Sequence, residues 1–244
     1  MFCGLFGVGG GIVIAPLLMW WARFEHKFAN GISLLAIAPM SILGASSYAA
    51  GGLFPWIPGL LVAIGAISGA QIGALILKKI NTKVLTWGFS VLALCAGVTL
   101  FLTPDSSEEI GEVTTLIAMS LIAIGLLMGI LAGTFGIGGG VVVVPALVLL
   151  FGVGDLAAKS ISLLAIIPGA LSGSLANLRY QNTSFRLSGW VSMGSLVTVP
   201  AGTYLAFSLS GNFANALFGI LVLCIAVGVF YIKDSGEYEM PNRK

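Results

Sequence analysis

A glycine-rich line is written twice in this chain: GLFGVGGGIVIAP at residues 4–16 and GTFGIGGGVVVVP at residues 133–145. Three adjacent glycines, a β-branched run and a proline make a poor continuous helix, since glycine and proline are the weakest helix formers. Each line therefore points to a backbone shape that side chains would spoil. Both lie in strongly apolar sequence, so what surrounds them decides how their N–H and C=O groups are satisfied.

Composition identifies that surrounding. The chain is 58% hydrophobic and 8% charged, with a mean hydropathy of +1.07. A soluble domain carries roughly 25% charged residues, and so few charges cannot cover a surface facing water. The chain is an all-α integral membrane protein with the lipid bilayer as its principal partner. A net charge of +2 gives no nucleic-acid signal. Cys3, Cys95 and Cys224 match neither a disulfide framework nor metal spacing and are expected to be small buried thiols. The N-terminus lacks the basic region of a cleavable signal peptide, so the apolar segments themselves direct insertion.

Apolar stretches long enough to cross as helices lie near 31–50, 57–77, 84–102, 114–132, 160–177, 187–207 and 213–232. Two more, 1–22 and 133–151, carry the glycine lines and are expected to be discontinuous or re-entrant, giving about eight or nine membrane segments. Loop charges set the orientation. The KKINTK loop at 78–83 reads as cytoplasmic and the acidic 103–112 loop as external. Arg179 and Arg186 place 178–186 inside, and Lys233, Arg243 and Lys244 place the tail inside, provided that 133–151 crosses. Trp20, Trp21, Trp56, Trp87 and Trp190 fall near span ends, where interface belts put them.

Sliding the chain over itself by 129 positions aligns far more than the glycine lines. ISLLAI at 32–37 falls on ISLLAI at 161–166, Pro39 on Pro168, Gly44 on Gly173, Gly65 on Gly194, Gly73 on Gly202 and Cys95 on Cys224. On the order of two dozen identities accumulate without a gap, more than shared composition supplies. The organisation expected is a first repeat at 1–102, an external linker at 103–113, a second repeat at 114–232 and a cytoplasmic tail at 233–244. With five crossings between equivalent points the repeats are inverted, as in secondary transporters; a re-entrant 133–151 would make them parallel. By the same logic a helix of about twenty residues is expected ahead of the first line. A late-assigned start codon is preferred over its true absence, because a lipid-exposed break would leave backbone groups unsatisfied.

The paired GxFGxGGGxxxxP lines, each followed by an ISLLAI-type helix, resemble the TauE/SafE sulfite-exporter family over nearly the whole chain. The resemblance implies a bacterial inner-membrane, multi-pass permease associated with small sulfur-containing anions such as sulfite and organosulfonates. The short N-terminus departs from the family pattern.

None of the expected spans carries Lys or Arg at mid-depth, no buried Asp, Glu or His is expected, and His26 falls in a loop. An anion at the midplane must then be held by dipoles and neutral donors. A helix N-terminus supplies unsatisfied N–H groups and about half a positive charge, and the triple glycines allow a helix to start inside the membrane. Gly9, Gly10, Gly11, Gly138, Gly139 and Gly140 are the substrate-binding candidates, with Pro16 and Pro145 limiting the short helices that follow. Ser33 and Ser162 are repeat-equivalent hydroxyls, and Pro39 and Pro168 each free a carbonyl one turn back. Gln71 can donate to an anion or glue helices together. Scattered Gly44, Gly65, Gly73 and Gly129 are expected to serve close helix packing, and Arg179 to anchor the chain inside.

The function expected is a secondary permease for a small anion, such as sulfite, an organosulfonate or another sulfur-containing anion, without nucleotide coupling since no Walker motif occurs. No cofactor, metal or nucleic acid is expected; a homo-oligomer is left open. An intramembrane enzyme would need a nucleophile, metal cluster or paired acids that the spans do not offer. A non-transporting membrane scaffold or assembly subunit is the alternative.

Overall fold

The computed structural model describes residues 1–81, 84, 87, 88, 91, 113–179, 183–209 and 211–232. Over these residues the chain is helical: α1 (Phe2–Phe6), α2 (Gly11–Trp20), α3 (His26–Ala50), α4 (Trp56–Lys79), α5 (Thr115–Phe135), α6 (Gly140–Phe151), α7 (Asp155–Arg179), α8 (Phe185–Met193), α9 (Ser195–Ser208) and α10 (Gly211–Ile232). Among the described residues, α3, α4, α5 and α7 are long and apolar enough to cross a membrane. Most of the expected span 84–102, nearly all of the linker 103–113 and the tail 233–244 lie outside the described residues, as does Cys95.

The long helices start earlier than hydropathy alone places them. Hydropathy leaves 152–159 between two apolar stretches and His26 in a loop, but α7 opens at Asp155 and α3 at His26, and both Lys159 and His26 are 1% exposed. Helical geometry tolerates the polar start because Lys159 Nζ donates to Asp155 Oδ2, one turn back, at 2.5 Å. The expectation that no His is buried is thereby corrected. The single span expected at 187–207 is covered by α8 and α9, interrupted only at Gly194, a weak helix former whose φ of −61° and ψ of −18° stay in the right-handed region. Cys3 is buried as expected, whereas Cys224 faces outward from α10.

The four prolines singled out as helix breaks do not end helices. Pro16, Pro39, Pro145 and Pro168 all lie inside α2, α3, α6 and α7, which continue past them. Each removes one internal N–H, and its ring crowds the carbonyl four residues back.

At the centre α3 packs against α7 in the opposite sense. Gly44 lies against Leu163 and Gly173 against Leu34, so early residues of one helix meet late residues of the other. Sequence-equivalent partners, 129 positions apart, thus make equivalent contacts. By contrast α4 runs parallel to α7, with Gly59 against Leu164 and Gln71 against Ser172, and parallel to α5.

The α4–α5 seam shows why so many glycines are needed. A Cβ at Gly65, Gly69 or Gly73 would run into the carbonyls of Ile122, Leu126 and Ile130, and one at Gly125, Gly129 or Gly133 into those of Val62, Ala66 and Ala70. Backbones approach this closely only across small residues, which in lipid maximises van der Waals contact where no hydrophobic drive exists. The short α1 repeats the end of this seam on α9. Gly4 meets Val199 O and Thr203 N as Gly133 meets Ala70 O and Ala74 N, and Gly202 meets Met1 O as Gly73 meets Ile130 O. All of these pairs are related by the 129-residue offset.

Candidate functional site

Each glycine line has the same backbone. Gly7 closes α1 in the left-handed region at φ 68° and Gly136 closes α5 at φ 72°, a helix ending that glycine adopts without a Cβ penalty. Two further left-handed residues follow, Gly9 and Gly10 in one line and Gly138 and Gly139 in the other. Helices α2 and α6 then start with Gly10 and Gly139 as their N-caps, and neither N-terminus receives a side-chain cap. The first N–H groups of a helix have no partner within it.

The two lines meet. They pass each other in opposite senses, with Gly11 against the carbonyl of Gly136 and Gly140 against that of Gly7. Gly9 and Gly138 both touch Ile37 of α3, and Gly9 also touches Ile166 of α7. Two hydroxyls tie the crossing down. Ser33 Oγ donates to Gly136 O and Ser162 Oγ to Gly7 O, each at 2.8 Å and each buried. Repeat-equivalent serines therefore hold one another's glycine line, and the carbonyls at the two helix ends are satisfied where lipid or apolar side chains could not serve.

Most of the crossing is filled by its own atoms. Added Cβ atoms at Gly7, Gly9, Gly11, Gly136, Gly139 and Gly140 would press into Lys159, Ile37, Gly136, Asn30, Met128 and the Gly7–Val8 segment respectively. Gly10 is different: its nearest neighbours, Cys3, Ile14 and Met40, stand at ordinary contact distance. It borders a cavity of about 240 Å³ that reaches Val191, Ser195 and Thr198. The hydroxyls of Ser195 and Thr198 donate to carbonyls of their own chain segment, at Ser192 and Gly194.

Of the candidate residues, the structure brings together the six glycines, Ser33 and Ser162. Pro39 and Pro168 occupy facing positions in the antiparallel α3–α7 pair. Gln71 is spent elsewhere, its amide donating to Ser172 Oγ at 2.8 Å and Ser172 O at 3.0 Å across the α4–α7 seam. Arg179 is exposed at the end of α7, and Pro16 and Pro145 sit within the short helices.

Sequence reasoning missed two residues that flank the crossing. Lys159 packs its Cα and Cβ on Gly7, and Asn30 packs on Gly136. Asn30 Nδ2 donates to Thr134 O at 2.7 Å. Positions 30 and 159 are repeat-equivalent and each precedes the ISLLAI stretch by two residues, so the alignment held the signal. Their polarity hid it, because a polar residue beside an apolar run reads as loop.

The sequence matches a known group of chains. The family described as Sulfite exporter TauE/SafE matches residues 1–119 and 121–244. A "Probable membrane transporter protein" of Xylella fastidiosa (strain 9a5c) is 28% identical over 233 residues, covering 93% of this chain and 89% of the relative. "Probable membrane transporter protein YunE" of Bacillus subtilis (strain 168) is 29% identical over 197 residues, covering 71% and 72%. "Probable membrane transporter protein YdhB" of the same strain is 28% identical over 220 residues, covering 88% and 85%. No solved structure matches the chain. With both halves matched, this chain belongs to the Sulfite exporter TauE/SafE family of membrane transporters.

Proposed function

We propose that the protein is a secondary permease for a small anion, with sulfite and organosulfonates the first candidates, in the plasma membrane. The observation that carries this reading is the crossing of two glycine lines, each starting a buried short helix with no side-chain cap. Such N-termini present N–H groups and the positive end of a helix dipole, the recurrent way of holding an anion without a cation. The opposite senses of α3 and α7 support two inverted halves, and inverted halves that rock about a shared centre give alternating access. In the conformation described, the crossing is closed, and Gly10 is the candidate glycine with space beside it.

Flux into proteoliposomes tests the proposal. The wild-type chain is expected to move sulfite or methanesulfonate faster than protein-free vesicles. Gly10→Ala adds a Cβ where there is space but at a left-handed φ that costs about 1–2 kcal/mol, so the N-terminus shifts. Flux is expected to fall at least tenfold in protein that still elutes as folded material. Flux equal to that of empty vesicles for sulfite, sulfate, thiosulfate and methanesulfonate would remove the anion assignment. Unchanged flux in Gly10→Ala would remove the site.

A further inference from the structure

The buried Lys159 is not explained by the glycine lines, which hold an anion by backbone alone. Among the described residues it is the one Lys or Arg that is buried, at 1% exposure. A lysine buried in the opening turns of a membrane helix is costly unless it is paired. Its ammonium contacts Asp155 Oδ2 at 2.5 Å. The other carboxylate oxygen, Asp155 Oδ1, is buried and has no hydrogen-bond partner. A structural ion pair is stable in low dielectric when its remaining lone pairs are also satisfied; this carboxylate is held at one oxygen only.

Lys159 rests its Cα, Cβ and Cγ on Gly7, the left-handed residue that ends α1, and Ser162, on the same helix, donates to the Gly7 carbonyl. The lysine thus stands beside one end of the crossing. Tyr48 of α3 donates its hydroxyl to Gly4 O at 2.9 Å and so ties α1 to α3. At the other end the equivalent position is Asn30, whose amide donates to the carbonyls of Gly133 and Thr134. One end has a cation and a carboxylate beside it; the other has a neutral amide.

We propose that Asp155 occupies, at the Lys159 ammonium, the place of the transported oxyanion. Lys159 is the anion's first side-chain ligand, and Asp155 is its internal competitor. On arrival of a sulfite- or sulfonate-type anion the Asp155 carboxylate, whose side chain is 13% exposed, swings away and the anion takes its hydrogen bond. The inference rests on the anion-transport reading and names the side chain that first meets the substrate.

The test uses the purified full chain and its melting temperature against rising sulfite, sulfate and methanesulfonate. Four proteins are compared: wild type, Asp155→Asn, Lys159→Gln and the double variant. If the carboxylate blocks the ammonium for nine-tenths of the time or more, removing its charge lowers the half-saturating anion concentration about tenfold or more. Asp155→Asn is expected to show that tightening, and Lys159→Gln to lose the anion-dependent shift. Where Lys159→Gln fails to fold, the double variant, which leaves neither charge unpaired, is expected to show the same loss. Half-saturating concentrations within twofold of wild type in Asp155→Asn and in either Lys159 variant overturn the inference while leaving the glycine site standing. No anion-dependent shift in the wild type or Asp155→Asn, together with no flux in vesicles, overturns both.

Discussion

Ser33 and Ser162 show how much one hydroxyl can carry in this chain. Each donates across more than a hundred residues to the carbonyl that ends the opposite glycine line. Removing the hydroxyl leaves that carbonyl buried and unpaired, at a cost of about 1–3 kcal/mol. Ser33→Ala and Ser162→Ala are therefore expected to lower the melting temperature in detergent by similar amounts, since they occupy equivalent places. Ser46→Ala, whose hydroxyl is exposed and bonds Leu43 O within its own helix, is expected to change it little. The pairing of the two serines was legible in the 129-residue offset. Their partners were not, because a serine in a membrane helix has its own backbone as the nearest alternative acceptor. Gln71 makes the same point from the other side: the sequence offered it two roles, and the structure shows its amide on Ser172.

At the scale of elements, the glycines divide by what a methyl group would meet. Gly129 stands in the α4–α5 seam with Ala66 O where its Cβ would be, whereas Gly189, inside α8, has nothing nearby. Gly129→Ala is expected to force the helices apart and lower folded yield and melting temperature. Gly189→Ala is expected to be neutral or stabilising by up to about 1 kcal/mol, the helix-propensity difference between the two residues. Detergent-solubilised yield and thermal melts separate the two outcomes. Close packing at Gly65, Gly73 and Gly129 followed from their spacing. The start of α7 did not: Asp155 and Lys159 look like loop residues until an i,i+4 ion pair and burial against Gly7 are seen together. The interruption at Gly194 was masked for a related reason, since hydropathy averages over a single residue.

For the whole molecule, orientation is the property that charge placement forecasts. The lysines of 78–83 place that loop inside, so 51–56, at the other end of the 57–77 span, falls outside; with the three native cysteines replaced by alanine, Phe54→Cys is expected to react with a membrane-impermeant maleimide on intact cells. Lys79→Cys is expected to react only after the cells are opened; the reverse pattern would invert the topology. Sequence by itself determined that the chain lives in lipid, that it is helical, that a glycine-rich line recurs at an offset of 129 residues and that these lines interrupt the helices. Those properties are local or additive: charge content, apolar run length and the freedom of glycine act over a few residues at a time. Only the tertiary structure decided that the two glycine lines close on one another, that each serine serves the other line, and that Lys159 is buried against Gly7 and paired with Asp155. These depend on contacts between residues more than a hundred positions apart or on what a neighbouring helix excludes, and no local period encodes them.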